Sequence, residues 1–201
     1  MIRATQLIFV RLGICAVVAL LAACASSPPA RFYTLSSAAV APDASLLAGK
    51  GIIVGAVELP DYLDRSQMAI RGEQGEIVFM EFQRWAEPLD TSFPRVFAQD
   101  LAIAAGTQQV VAVPIPQQLA TDFRLMARVS RFDVDRSGKA ALDVQWFASD
   151  AENKVIIVPR QDSFSREVPL PLQPETSAAA LSGTIADFAA LVARTLAEVA
   201  Q

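Results

Sequence analysis

The chain has 201 residues, no histidine and two cysteines, and its 17 basic and 21 acidic residues give a net charge of −4. The length predicts one domain with at most a short appendage. A chain without histidine lacks the commonest general base and metal ligand, which excludes Ser-His-Asp and Cys-His catalytic sites. The acidic balance argues against a nucleic-acid-binding protein.

The first 24 residues have the pattern of an export signal. Arg3 and Arg11 precede an apolar run over residues 12–23, which is too short to span a bilayer but suits a signal peptide. The run ends in Leu-Ala-Ala-Cys, which resembles the lipobox of bacterial lipoproteins, whose cysteine (here Cys24) receives a diacylglycerol. The alternative is a plain secretory signal with an incidental cysteine. The predicted segments are a signal peptide (1–23), a lipidated tether (24–30) and a domain (31–201).

The residue after the cysteine predicts the location of such a lipoprotein. In Gram-negative bacteria of the enteric type, aspartate at that position retains a lipoprotein in the inner membrane. Ala25 therefore predicts a lipid-anchored protein at the periplasmic face of the outer membrane. Two or more acyl chains give stable anchoring, at about 0.8 kcal/mol per buried CH2.

In the first half of the domain, β-branched and aromatic runs separated by turn residues predict strands. The segment GIIVGAVEL at 51–59 is apolar throughout, so we expect a central strand buried on both faces. Pro60 ends it, and residues 60–65 are expected to form one helical turn. The predicted strands of this half are residues 31–35, 51–59, 67–71 and 76–81.

A helix is expected over residues 88–105, with its regular part starting near Ser92 because Pro94 suits a first turn. Residues 122–135 and 139–150 have the alternation of a long hairpin, and a change of parity predicts a β-bulge near Ser130.

The rest of the chain adds strands and the clearest helix. Short strands are expected at 109–114, 154–159 and 163–168. Apolar residues over 176–200 recur at helical spacing, which predicts a helix that packs on the sheet. The fold class is therefore α/β: a single domain with a mixed, mostly antiparallel β-sheet and two long helices packed on it.

Residues that could carry catalysis or hold a metal are few. The only lysines, Lys50, Lys139 and Lys154, lie near turns, where exposed and charged amines are expected. Asp61 and Asp64 are expected to be a solvated or capping pair. Asp133, Asp135 and Asp143 near the end of the predicted hairpin could attract calcium, but they lack the spacing of a calcium-binding loop. We therefore predict no enzyme activity, no cofactor and no metal site.

One constellation of residues is distinctive. A Phe-Tyr-Thr-Leu strand at 32–35 follows the lipobox tether, Leu-Pro-Asp-Tyr-Leu-Asp-Arg occupies 59–65, and Arg-Trp-Ala-Glu-Pro-Leu occupies 84–89. In this order the pieces resemble the PqiC-type auxiliary lipoproteins of ABC and MCE transport systems, over roughly residues 31–199. The resemblance implies a periplasmic component of an envelope-spanning lipid-transport machine, an MCE-domain protein as partner, and ring-like homo-oligomers. It implies no catalytic residues.

The residues of this motif have two interpretations. In one, Tyr62, Trp85 and Leu89 pack as a structural corner, and Arg84 pairs with Glu87 three positions later at the start of a helix. In the other, the motif is a partner-contact patch, since exposed Trp, Tyr and Arg concentrate interface energy. The candidate motif residues are Tyr62, Asp64, Arg65, Arg84, Trp85, Glu87 and Pro88.

The motif and the export signal together favour a docking lipoprotein of an ABC–MCE system. It would be held to the membrane by its lipid anchor and would bind no nucleic acid. Two alternatives remain open at this point. A lipid-carrying lipoprotein requires an enclosed apolar cavity, and an outer-membrane assembly lipoprotein should co-purify with a β-barrel protein.

Overall fold

A computed structural model describes residues 28–42, 44–114 and 121–200. The predicted signal peptide and the predicted lipidation site, Cys24, lie outside the described residues. The described residues contain eight strands and two α-helices, and short 3-10 turns occupy Asp61–Leu63 and Glu73–Gly75. In chain order the strands and helices are β1 (Arg31–Tyr33), β2 (Ile52–Glu58), β3 (Gln67–Arg71), β4 (Ile77–Trp85), α1 (Leu89–Ala105), β5 (Val110–Ala112), β6 (Phe123–Asp135), β7 (Lys139–Ser149), β8 (Val155–Glu167) and α2 (Pro174–Val199).

All eight strands belong to one mixed sheet. The pairs β3–β4, β6–β7 and β7–β8 are antiparallel, and β1–β4, β2–β5, β2–β6 and β3–β6 are parallel. The two longest ladders are the antiparallel ones on either side of β7. The predicted α/β class, with one mixed sheet and two helices, is confirmed.

The sheet divides along β6. One edge of β6 pairs with β7 over almost its whole length, with the predicted bulge between Val129 and Arg131. The other edge pairs with β2 over residues 123–128 and with β3 only at residues 134 and 135. Among the described strands, neither β2 nor β3 therefore pairs with residues 129–133 of this edge. We call this gap the fork of the sheet.

Both helices pack on the same face of the sheet. The predicted apolar face of α1 is buried, and so is the α2 stripe except at Val199. Phe97 of α1 stacks on Phe188 of α2 with ring centroids 4.5 Å apart. Among the described residues, α2 is the one helix long and apolar enough to cross a membrane. However, 67% of its most apolar 18-residue stretch is buried inside the domain, which is typical of a core helix.

A buried carboxylate of α1 binds the first part of the segment that joins β1 to β2. Asp100 Oδ1 accepts hydrogen bonds from the Ser37 hydroxyl at 2.5 Å and from the backbone N–H groups of Ala38 and Ala39 at 3.0 Å each. Burial raises the pKa of Asp100, although these bonds act to lower it. Oδ2 has no partner among the described residues. These hydrogen bonds hold residues 37–39 against α1, and they require the burial of a carboxylate.

Several predicted boundaries are wrong. β4 continues to Trp85 instead of ending near residue 81, and the two strands predicted at 154–159 and 163–168 form the single strand β8. The apolar run of β2 is buried on both faces only up to Gly55, because its last residues reach the exposed end of the sheet.

Helix α1 starts at Leu89, three residues before the expected position, and contains Pro94. The Ser92 N–H donates to the Pro88 carbonyl at 3.0 Å and its hydroxyl donates to the same oxygen at 3.1 Å, so the first turn is already closed there. Proline at position 94 removes the bond that an N–H would make to the Asp90 carbonyl. Burial of Phe93 and Phe97 on either side offsets that loss.

Candidate functional site

The separate pieces of the sequence motif come together around one groove. Its walls are the end of β2 with the following turn, the end of β4, the start of α1, and β1. The volume of the groove is about 660 Å³. We call it the motif groove, and its lining residues are Phe32, Leu59, Pro60, Asp61, Leu63, Asp64, Arg65, Ser66, Arg84, Trp85, Ala86, Glu87, Pro88, Leu89 and Asp90.

Backbone hydrogen bonds hold these walls together. The Ala86 N–H donates to the Tyr33 carbonyl at 2.8 Å, which joins the end of β4 to β1. The Trp85 N–H donates to the Ser66 carbonyl at 2.6 Å, which joins β4 to the turn before β3. The groove is therefore formed by ladder and turn contacts and does not depend on flexible side chains.

The floor of the groove is apolar and buried. Trp85 is 5% exposed, and Leu63 and Leu89 are similarly buried in the main core. By contrast, the Phe32 side chain on β1 is 64% exposed beside the same groove. Trp85 and Leu89 both lie at this floor, but the predicted structural corner also included Tyr62, which does not line the groove. Phe32 adds an exposed aromatic surface that the sequence motif did not assign to the site.

The charged motif residues at the rim make different contacts from those expected. Glu87 forms an ion pair with Arg95, one to two turns into α1, and not with Arg84. The predicted Arg84–Glu87 pair is wrong because a spacing of three brings side chains together within a helix, whereas Arg84 lies on β4 and Glu87 lies between β4 and α1. The Arg84 Nε instead donates to the Glu81 carbonyl at 3.5 Å, and the Arg65 guanidinium lies 4.9 Å from the Phe79 ring centroid.

Tyr62 is the one candidate motif residue that does not line the groove. Its hydroxyl reaches the fork of the sheet, where it accepts a hydrogen bond from the Phe132 N–H at 3.1 Å and donates to Asp133 Oδ2 at 2.9 Å. The phenol oxygen is therefore the acceptor for the Phe132 N–H, which pairs with neither β2 nor β3. Burial raises the pKa of Tyr62 to about 12, against the Phe132 hydrogen bond, which lowers it.

Asp133 is the centre of a buried ionic cluster at the fork. Its side chain is fully buried, and it accepts hydrogen bonds from Arg71 Nη2 at 2.5 Å and Arg131 Nε at 2.9 Å. The hydrogen bond to Asp133 raises the pKa of Arg71. A lone buried carboxylate would be costly, but two guanidiniums and a phenol satisfy this one. The cluster explains why the turn carrying Tyr62 lies against β6.

The sequence reasoning missed this cluster. The sequence pattern associates Asp133 only with Asp135 and Asp143, as a candidate calcium site. A usable signal was present, because Asp133 lies between Phe132 and Val134 in a strand and must be paired if it is buried. Among the described residues no group of three or more acidic or cysteine side chains could hold a metal ion.

The motif groove offers surface contacts and charge, and its one hydroxyl side chain, Ser66, cannot be activated by histidine because the chain contains none. Its apolar floor, exposed aromatic ring and charged rim suit non-covalent binding.

Solved structures share the fold. An uncharacterised protein aligns with a TM-score of 0.67 and 18% identity, covering 84% of this chain and 99% of its own. A protein of family DUF330 from Xanthomonas campestris aligns with a TM-score of 0.71 and 15% identity, covering 86% of this chain and 97% of its own. At these identities the similarity establishes the fold alone.

Among curated proteins, none matches this sequence. A family model described as "ABC-type transport auxiliary lipoprotein component" matches residues 33–193, from β1 to the last turns of α2. This agrees with the resemblance carried by the sequence motif. Because the match spans most of the chain, the protein belongs to the family of ABC-type transport auxiliary lipoproteins.

Proposed function

We propose that this protein is a non-catalytic docking lipoprotein of an ABC–MCE lipid-transport system. Cys24 would anchor it to the periplasmic face of the outer membrane, and the motif groove would contact an MCE-domain protein. The observation that carries the proposal is that six of the seven candidate motif residues line one groove. These are Asp64, Arg65, Arg84, Trp85, Glu87 and Pro88.

The composition of the groove supports binding of a protein partner. Interface energy concentrates in aromatic and arginine side chains beside a well-packed support. Phe32 supplies an exposed ring, and the buried Trp85 and Leu89 hold the surface beneath it rigid. A groove of about 660 Å³ is large enough to receive several partner side chains.

Co-purification of this lipoprotein with an MCE-domain protein from the same organism tests the partner. Phe32→Ala should weaken the complex about ten-fold or more, because it removes an exposed aromatic contact at the groove. Leu170→Ala is the matched control: Leu170 is 62% exposed but lies away from the groove, and its loss should leave binding unchanged. Equal binding by both variants, or no complex with the wild-type protein, would contradict the proposal.

The membrane anchor is tested separately. Cys24→Ala should leave an uncleaved or soluble protein, and normal membrane fractionation of this variant would contradict lipidation. Ala25→Asp should move the protein to the inner membrane in an enteric host. If Ala25→Asp stays in the outer membrane, the sorting rule does not apply to this chain.

The lipid-carrying alternative has less support from the described residues. It requires an enclosed apolar cavity, but the space between the helices and the sheet at Phe97, Trp146 and Phe188 has no room for a water molecule. The assembly alternative makes a distinct prediction, namely co-purification with a β-barrel protein instead of an MCE protein. Ring-like self-association is tested by sedimentation velocity of the purified lipoprotein.

A further inference from the structure

Of the charged side chains that line the motif groove, some form ion pairs and others do not. Its lining includes four carboxylates and two guanidiniums. Arg95 neutralises Glu87. Within the described part of the chain, the other three carboxylates have no lysine or arginine nitrogen within 4.0 Å. They are Asp61, Asp64 and Asp90.

The two guanidiniums of the lining do not neutralise these carboxylates by contact. Arg65 lies over the Phe79 ring, and Arg84 is directed to a backbone carbonyl on its own strand. Asp61 and Asp64 are exposed on the same short turn, which Tyr62 and the backbone hold against the domain. With Glu87 paired to Arg95, the three remaining carboxylates outnumber the two guanidiniums, so the groove lining keeps a small net negative charge beside its apolar floor.

We propose that the motif groove receives a segment of the partner protein that presents an apolar side chain next to a lysine or arginine. This inference rests on the proposed docking function and specifies the chemistry of the docked segment. The apolar side chain would lie against Phe32 and above Trp85, and the cation would lie at Asp61 and Asp64. Opposite charges at the rim of an interface raise the association rate and select the partner.

The test needs no natural partner. Two labelled, capped octapeptides share a central Leu-Phe pair and differ only in having lysine or glutamate on either side of it. Fluorescence anisotropy with the full-length lipoprotein should give about five-fold tighter binding of the lysine peptide at low salt, the sum expected of two exposed ion pairs. The preference should largely disappear at high ionic strength.

Variants then assign the preference to the two aspartates. Asp61→Asn with Asp64→Asn should reduce the preference to near unity without weakening the fold, because both side chains are exposed. Glu73→Gln with Glu152→Gln removes two exposed carboxylates from turns outside the groove and should preserve the preference. Equal binding of the two peptides, or a preference that survives the Asp61/Asp64 variant, would overturn the inference.

The natural complex separates this inference from the proposed function. If the MCE complex forms and Phe32→Ala weakens it, but the Asp61/Asp64 variant does not, docking stands and the cationic segment is wrong. If no MCE complex forms, the peptide preference still decides the chemistry of the groove. If Phe32→Ala instead dissociates a homo-oligomer and neither peptide binds, the occupant is a second copy of the chain and the inference fails.

Discussion

Tyr62→Phe tests the role of the phenol at the fork of the sheet. The change removes one oxygen and keeps the ring, so packing is preserved. It leaves the buried Phe132 N–H without an acceptor and removes one of the hydrogen bonds to the buried Asp133 carboxylate. The change therefore affects hydrogen bonding alone, at residues of β6 that pair with neither β2 nor β3.

The expected magnitude follows from those two bonds. A buried donor without a partner costs about 1–3 kcal/mol, and a hydrogen bond to a charged group contributes about 1.5–3 kcal/mol. Arg71 and Arg131 remain on Asp133, so the two losses do not add fully. We expect a decrease of about 3 kcal/mol in the free energy of unfolding. For a domain of this size that corresponds to about 10 °C in Tm.

Urea and thermal unfolding of the purified full-length protein measure this loss. The chain has only two tyrosines, which makes Tyr33→Phe a natural control. The Tyr33 hydroxyl donates to Glu175 at 3.1 Å in an exposed position, so its removal should cost less than about 0.5 kcal/mol. If Tyr62→Phe costs no more than Tyr33→Phe, water replaces the phenol and the argument for the fork is wrong.

Three further outcomes are expected. Because the pKa of Tyr62 is raised to about 12, absorbance titration should show a late tyrosine ionisation that Tyr62→Phe removes. The stability that the Tyr62 phenol contributes should persist below about pH 10 and should fall as the pH rises towards 12. Burial also raises the pKa of Asp100, so the folded state favours its protonated form, and Asp100→Asn should gain Tm relative to the wild-type protein as the pH rises from about 4 to 7. Gly55→Ala should cost about 2–3 kcal/mol in urea unfolding, since its Cβ would lie 2.8 Å from a backbone oxygen. Gly183→Ala should be nearly neutral because only a flexible arginine must move; equal costs for the two glycine variants would contradict this comparison.

Local patterns predicted much of the fold because their causes are local. The parity change after Val129 indicated the bulge in β6, since alternation has a period of two and an extra residue shifts it. The stripe from Leu181 to Leu196 predicted α2 and its buried face. Gly106 ends α1 with φ of 68°, as expected of a glycine after a helix.

The features that the sequence did not predict depend on contacts between distant segments. The strand pattern of β4 fades at Glu81 in the sequence, but pairing with β1 extends the strand to Trp85. That extension is also why Arg84 and Glu87 do not pair. No periodicity indicates that Tyr62 faces Asp133 and not Trp85, because that choice depends on how β2 and β3 share one edge of β6.

The fork also has a consequence for the order of folding. Tyr62 and Asp133 are 71 residues apart in the chain, and β2 and β3 both depend on β6 through parallel pairing. Contacts of such long range close slowly. The segment from β1 through α1 therefore keeps apolar surface exposed until β6 is available, and is open to aggregation or chaperone binding during that interval. Since the turn of the motif groove is fixed by β6, only a chain folded through its second half can present the groove to a partner.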